Sequence, residues 1–277
     1  MVLYVVMVRT GWGQRLDNAA VAGRTTRETV LRATDRVLNT ISAGSLVLAG
    51  TAIALLAFAR RRPHLAVTAV GVVAGANITT QLLKRALTRP ELAGEPDPLL
   101  GGSYPSGHST VAMSLAVALI LVVPARWRSA TAVVACGYAA LVGTGTVTAG
   151  WHRPSDVIAG YLVAIAWAAF GTMALIAWQG AVVARGTSSR LPLLPPVLVG
   201  GGVAFLSVGL LGFAAVVVAD RERELDAVDL EGSYALALVS IVGVALLLVA
   251  ALVVALRRVD LDPTAEEERD AGVAVAE

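Results

Sequence analysis

Charged residues are scarce in this chain: Asp, Glu, Lys and Arg make up only 15% of its 277 residues, whereas 56% are hydrophobic. Ordinary soluble domains contain about 25% charged residues. A soluble core of this size could not bury so much apolar surface. The composition therefore excludes an ordinary soluble protein and indicates that lipid surrounds much of the chain.

Cysteine is also nearly absent, since Cys136 is the only one. A disulfide within the chain and a metal cluster held by several thiolates are therefore excluded. Cys136 lies within an apolar run and is predicted to be a buried, inert thiol. Aromatic residues make up only 5%, and the abundant Ala, Val, Leu and Gly favour close helix packing in a membrane.

The chain is organised as long apolar runs, which do not alternate with polar residues as the strands of a membrane β-barrel do. A helix of about 20 apolar residues crosses a bilayer. We therefore predict an all-α, polytopic transmembrane helix bundle, with a six-helix core whose first helix is shortened and two extra C-terminal spans. The predicted spans are 37–59, 65–87, 109–123 (short, and extended by preceding residues), 130–149, 157–178, 197–219 and 234–256.

Basic residues cluster after every second span, and short cytoplasmic loops carry an excess of Lys and Arg. This pattern predicts a multi-pass protein of the cell membrane, with these loops in the cytoplasm and with segments 89–107, 150–156 and 220–231 on the extracytoplasmic side. The basic clusters are Arg60, Arg61 and Arg62; Arg126 and Arg128; Arg185 and Arg190; and Arg257 and Arg258.

Residues 1–36 form a separate N-terminal part. The apolar residues 1–8 lack the basic lead of a signal peptide, and they are either a shortened span or a shallow anchor. Residues 10–36 are Arg-rich, and they are interpreted as an amphipathic helix on anionic headgroups or as a solvated linker. The rest is expected to comprise a membrane core at 37–183, two additional helices with an acidic outer loop at 184–258, and a disordered cytoplasmic tail at 259–277.

The segment 104–110 reads Tyr-Pro-Ser-Gly-His-Ser-Thr. Its Pro and Gly predict a tight turn that leads into an apolar helix. The free N–H groups at the start of a helix carry partial positive charge and bind anions, and Gly107 lets the backbone approach an oxyanion closely. The segment therefore predicts an anion site at Ser106, Gly107 and His108.

A second histidine, His152, lies in the segment 150–156, Gly-Trp-His-Arg-Pro-Ser-Asp. Side chains four residues apart share one face of a helix, so Asp156 can accept a hydrogen bond from one ring nitrogen of His152. The other nitrogen would then be available as a nucleophile. The alternative is a helix-capping Asp156 beside an interfacial histidine.

Lys84 and Arg89 lie at the outer end of the second span, on the side where the charge rule disfavours cations. They need an anionic partner, or they snorkel to lipid headgroups. Together with the helix start and the two histidines, they supply charge donors, a nucleophile and an acid. Phosphoryl transfer requires this set of groups.

In this order, the motifs resemble those of the type-2 phosphatidic-acid phosphatase superfamily: a Lys/Arg-Pro motif, a Pro-Ser-Gly-His motif and a motif that ends in His-x-x-x-Asp. The resemblance covers residues 60–178. It implies that His152 forms a phosphohistidine, that Asp156 orients it and that His108 protonates the leaving group, without a metal or other cofactor. The phosphate-binding residues that it implies are Lys84, Arg89, Ser106 and Gly107.

One cation of the family pattern is displaced and another is missing. The Arg-Pro pair begins at Arg89, two residues earlier than the family spacing from the Lys places it. The family's later Arg, six residues before the catalytic histidine, is replaced by Thr146. Arg153 is our candidate for the missing phosphate-binding cation.

The sequence therefore predicts a metal-independent membrane phosphatase for a lipid phosphate or diphosphate at the outer membrane face. Phosphatidic acid, phosphatidylglycerol phosphate and polyprenyl diphosphate are candidate substrates. The expected partners are this lipid and the bilayer, with no nucleic acid and no cofactor. Two alternatives are a phosphotransferase with a lipid or sugar acceptor and a non-catalytic binding or scaffold protein with a degenerate site.

Overall fold

The computed structural model describes residues 1–24, 28–93, 104–179, 182–183, 194–222, 224–256 and 259–260. Within these residues the chain forms ten helices and one pair of two-residue strands. The elements are α1 Val2–Val8, α2 Gly11–Ala22, α3 Glu28–Asn39, α4 Ala43–Ala59, α5 Pro63–Ala86, α6 Gly107–Val122, α7 Ala125–Thr148, α8 Pro154–Gln179, β1 Val182–Val183, α9 Leu194–Glu222, α10 Ala227–Leu256 and β2 Val259–Asp260.

Helices α4 to α10 occupy the seven predicted spans and confirm the predicted all-α membrane bundle. Five of the described helices, α5, α7, α8, α9 and α10, are long and apolar enough to cross a membrane alone. Helix α4 begins at Ala43 instead of 37, because Ser42 and Ser45 form a capping box that starts a new helix. Helices α3 and α4, which are bent by 61° at a short break, are long and apolar enough only as a pair, as in a broken span or a re-entrant loop.

Helix α6 lies in the centre of the bundle and packs against α4, α5, α7 and α8. It starts at Gly107, before the apolar run, as expected for the short third span. Its polar residues are buried against neighbouring helices, where Thr110 shares a hydrogen bond of 3.0 Å with Thr80 and Ser114 accepts one of 3.2 Å from Asn77. Protein instead of lipid therefore surrounds this short helix.

The N-terminal segment differs from the sequence interpretation. Helix α1 has seven residues, a length of about 10 Å, and packs on Tyr104 and Ala159. Helix α2 buries seven of its residues and packs on α10, so residues 11–22 are not a solvated linker. Only α3, which is amphipathic and mostly exposed, has the pattern expected of an interfacial helix.

The C-terminal part also departs in detail from the expected organisation. The acidic stretch is mostly helical, because α9 ends at Glu222 and α10 begins at Ala227. Val259 and Asp260, expected in a disordered tail, pair with Val183 and Val182 as an antiparallel bridge. The remaining tail, 261–277, lies outside the described residues, as do Arg185, Arg190, Arg257 and Arg258.

Two arginines at the other predicted cytoplasmic ends, Arg60 and Arg128, bind carbonyl groups at helix C-termini. The Arg60 guanidinium donates to the Val122 carbonyl at the end of α6. Arg128 donates to the Leu256 carbonyl at the end of α10, at 3.4 Å. These contacts satisfy carbonyls that a helix leaves unpaired in its last turn.

Two glycines of α7 provide a matched test of the packing. A Cβ at Gly143 would lie 2.0 Å from the hydroxyl of the fully buried Tyr161, whereas a Cβ at Gly137 meets nothing within 4 Å. We expect Gly143→Ala to lower the free energy of unfolding by about 1–3 kcal/mol through overpacking. Gly137→Ala should be neutral or stabilising, since Ala favours helix. Thermal unfolding in detergent compares them, and equal melting temperatures would contradict this packing.

Candidate active site

The turn before α6 is held rigidly in place. Ser106 caps α6, because its hydroxyl accepts hydrogen bonds from the Ser109 N–H at 3.3 Å and the Ser109 hydroxyl at 3.0 Å. Its own N–H donates to the Asp156 carbonyl at 2.8 Å. The predicted anion-binding turn is thus attached directly to the first turn of α8.

Gly107 and Lys84 come together at this turn. A Cβ at Gly107 would lie 3.5 Å from the Lys84 ammonium nitrogen and 3.8 Å from the Gln81 amide nitrogen. The absence of a side chain at residue 107 therefore leaves room for an anion beside Lys84 and the α6 N-terminus. Gln81 was not predicted from the sequence, although it precedes Lys84 by three residues on the same helix.

His152 lies in the connection between α7 and α8. The chain reverses at Gly150, whose φ of 73° is in the left-handed region that favours glycine. The N–H of His152 donates to the Thr146 carbonyl at 3.2 Å. Its Nδ1 is 3.6 Å from Oδ2 of Asp156, whose side chain is fully buried. The two side chains are therefore adjacent, and Nδ1 is the ring nitrogen that faces Asp156.

His108 is half-buried beside His152. Their ring centroids are 6.2 Å apart, and the His108 ring is 5.2 Å from that of Trp151. His108, Gly107 and Lys84 also line a groove of about 540 Å³ between α4, α5 and α6. The rest of the groove is largely apolar: Ile41, Ala43, Leu46, Ile78, Leu82 and Val111. The arrangement suits an anionic group that carries an apolar substituent.

Arg89 lies behind Asp156, away from this groove. Its side chain is 5% exposed, and its Nη2 is 3.3 Å from Asp156 Oδ1 and 3.3 Å from Asp17 Oδ2. Its Nε and Nη1 are buried without a hydrogen-bond partner in the described part of the chain. Although it was predicted to bind phosphate, Arg89 does not line the groove that contains Lys84 and His108.

Arg153 also faces the N-terminal segment. It is 1% exposed, and its Nε donates to the Asn18 side chain at 3.0 Å. Thr146, which replaces the family's Arg, is buried and donates to the Gly143 carbonyl at 2.8 Å within its own helix. Neither residue is placed beside Lys84 and Gly107. That Arg153 takes the role of the family's missing Arg stays a prediction.

Three polar residues of α2, which were not predicted from the sequence, also belong to the site. Asp17 accepts hydrogen bonds from the N–H and hydroxyl of Ser155, and Asn18 binds Arg153. The Gln14 amide donates to the carbonyls of Val8 and Pro90 and accepts from the Leu92 N–H. The spacing of Gln14, Asp17 and Asn18, which places them on one helical face, was the available signal.

Burial raises the pKa of Asp17 to about 6, although the Arg89 guanidinium opposes this change. Asp17 is therefore mostly ionised at neutral pH. Its carboxylate and that of Asp156 both contact Nη2 of Arg89, and Asp156 also accepts from the backbone N–H of Arg153. Among the described residues, no three or more His, Cys, Asp or Glu side chains are grouped as a metal site would require.

Comparison with known proteins gives one family match. A family model described as the PAP2 superfamily matches residues 40–179. The matched range extends from just before α4 to the end of α8 and includes every site residue predicted from the sequence. Neither the curated proteins nor the solved structures contain a significant match.

The raised pKa of Asp17 predicts a pH-dependent stability. Because the folded protein binds this proton more tightly than the unfolded chain, the contribution is greatest below about pH 4. It is lost as the pH rises to about 6, and it amounts to about 3 kcal/mol at most. Asp17→Asn removes this proton, so the stability of the wild type relative to the variant should fall between pH 4 and 6 and stay constant above.

Thermal unfolding of the two proteins in detergent across this range makes the measurement. Glu28→Gln, which removes an exposed carboxylate of α3, controls for a general effect of charge loss. A difference between wild type and Asp17→Asn that does not vary with pH would contradict the burial of an ionisable Asp17.

Proposed function

The chain belongs to the PAP2 superfamily, a family of phosphatases, and from this premise we propose that it hydrolyses the phosphate or diphosphate ester of a membrane lipid. The observation that carries the proposal is the placement of His152 between Asp156 and His108, at 3.6 Å from a carboxylate oxygen and 6.2 Å between rings. A nucleophile, its orienting group and an acid are thereby together at one end of the bundle.

In the first step, Nε2 of His152 attacks the phosphorus and the bond from phosphorus to the lipid oxygen breaks. Asp156 holds the other ring nitrogen and stabilises the positive charge that the ring gains. Burial, with His152 and Lys84 nearby, lowers the pKa of His108 to about 4, and the bound phosphate anion favours its protonated form. His108 then gives its proton to the leaving oxygen. The products of this step are a phosphohistidine and a lipid alcohol, or a lipid monophosphate when the substrate is a diphosphate.

In the second step, water attacks the phosphohistidine, and His108 accepts a proton from this water. The bond between phosphorus and Nε2 breaks, and inorganic phosphate leaves. Lys84 and the N–H groups at the start of α6 bind the phosphoryl oxygens in both steps. The room beside Gly107 supports this assignment, and Ser106 holds the turn that presents these groups.

The membrane arrangement supports an extracytoplasmic site in the cell membrane. Arg60 and Arg128 bind helix ends opposite the site, and the charge rule assigns such an end to the cytoplasm. The groove beside His108 and Lys84 contains the exposed side chains of Ile78 and Leu82. A substrate with an apolar tail, such as phosphatidic acid, phosphatidylglycerol phosphate or polyprenyl diphosphate, fits these surroundings.

His152→Ala should abolish phosphate release, because no nucleophile remains to form the phosphoenzyme. The purified protein is assayed in detergent on a panel of glycerolipid, prenyl and sugar phosphates. His64→Ala, on the opposite end of α5, is the control and should keep wild-type activity. Equal release by His152→Ala and the wild type would contradict the proposal, and mass spectrometry of the products separates hydrolysis from transfer to an acceptor.

His108→Ala should slow release of a lipid alcohol by about 100- to 10,000-fold, the usual contribution of a general acid. With an aryl phosphate, whose leaving group needs no proton, the same variant should form the phosphoenzyme at a rate much closer to that of the wild type. Rapid-mixing measurements with both substrates test this difference. A loss that is the same for the two leaving groups would argue against His108 as the acid.

A further inference from the structure

The carboxylate of Asp17 reaches the site from outside the family-matched range. Helix α2 ends at Ala22, whereas the matched range begins at residue 40. The Asp17 side chain is fully buried and contacts two separate pieces of the site. One is Arg89, just after α5, and the other is Ser155, in the first turn of α8.

Asp17 and Asp156 share one guanidinium nitrogen. Nη2 of Arg89 is 3.3 Å from an oxygen of each carboxylate. The other oxygen of Asp156 accepts from the Arg153 N–H at 3.0 Å and lies 3.6 Å from His152. Arg89 therefore contacts Oδ1 of Asp156, whereas His152 lies beside Oδ2. Because Asp17 contacts the same guanidinium nitrogen, the positive charge of Arg89 interacts with both carboxylates.

We propose that Asp17 is a positioning residue of the phosphatase site. It divides the interaction of Arg89 between two carboxylates and fixes the first turn of α8, so that Asp156 stays oriented behind His152 and is not paired with Arg89 alone. This inference rests on the proposed function. Without Asp17, Arg89 would pair with Asp156 alone and neutralise the charge that stabilises the His152 ring during attack. The effect belongs to the chemical step instead of substrate binding.

The position of α2 is supported from both sides. Gln14 and Asn18 fasten it to the segment after α5 and to Arg153. On its other side, Arg15 forms a 3.0 Å ion pair with Asp220 of α9, and the helix packs on α10. The two C-terminal helices, which also lie outside the family-matched range, thus support the helix that carries Asp17.

The test compares Asp17→Asn with the wild type in the full-length protein, in detergent, on a lipid phosphate that the wild type hydrolyses. We expect kcat to fall about tenfold or more while KM changes less than about threefold, because transition-state charge stabilisation is lost. Glu28→Gln, an exposed carboxylate of α3, is the control and should match the wild type. A fall in melting temperature with unchanged kcat would show a purely structural role and overturn the proposal.

A double-mutant cycle with Arg89→Gln adds a second criterion. If Asp17 acts by sharing Arg89, the double variant should lose no more of kcat than Asp17→Asn alone, so that the two losses are not additive. Fully additive losses would overturn the proposal. An increased activity or a lowered KM in Asp17→Asn would also overturn it, because it would mean that Asp17 competes with phosphate for Arg89.

Asp17→Glu decides the question if Asp17→Asn does not fold, because it keeps the charge and displaces the carboxylate by one methylene. The proposal requires a lowered kcat at unchanged KM in this variant as well, and a wild-type kcat would overturn it. Failure of the proposed function is distinct: the wild type would then release no phosphate from any substrate in the panel.

Discussion

The buried contact of Arg89 with two carboxylates is the constraint on which the arrangement of the site depends. Asp17 and Asp156 have fully buried side chains, and two such charges are unfavourable without a cation between them. Arg89 supplies that cation and joins three pieces of chain that are distant in sequence: α2, the segment after α5 and the start of α8. Breaking one contact leaves a buried charge without compensation, so the three pieces are held together as a unit.

This constraint gives the peripheral helices a role in the site. The residues matched by the family model contain His152, His108 and the turn before α6, but they leave one side of Arg89 and Arg153 to be covered. Helix α2 covers it with the side chains of Asp17, Asn18 and Gln14, and α9 and α10 support α2 from behind. Helices α2, α9 and α10 therefore pack as part of one bundle with the phosphatase core and do not form a separate domain.

Most of the bundle could be predicted from the sequence, because apolar run length alone fixes where helices cross a membrane. The grouping of His108, His152, Asp156, Lys84 and Gly107 could be predicted as well, since motifs at helix ends meet at one face of a bundle. The contacts of Arg89 and the burial of α2 could not be predicted. Helix α2 has polar residues on its buried face, and from the sequence alone a polar face is expected to be exposed to solvent. The predicted start of α4 at residue 37 was wrong, because the Ser42 cap begins a new helix at Ala43.

The limited length of α6 has a consequence at the end of the bundle remote from the site. Its 16 residues extend about 24 Å, against about 39 Å for the 26 residues of α8. The two helices start level, through the hydrogen bond between Ser106 and Asp156, so α6 ends before α8 does. A helix leaves the carbonyls of its last turn unpaired, and a carbonyl that neither protein nor water pairs costs several kcal/mol in a bilayer. The side chain of Arg60 pairs with one of them, the carbonyl of Val122. An arginine of the kind that orients a chain during membrane insertion therefore also caps a short helix in the folded protein.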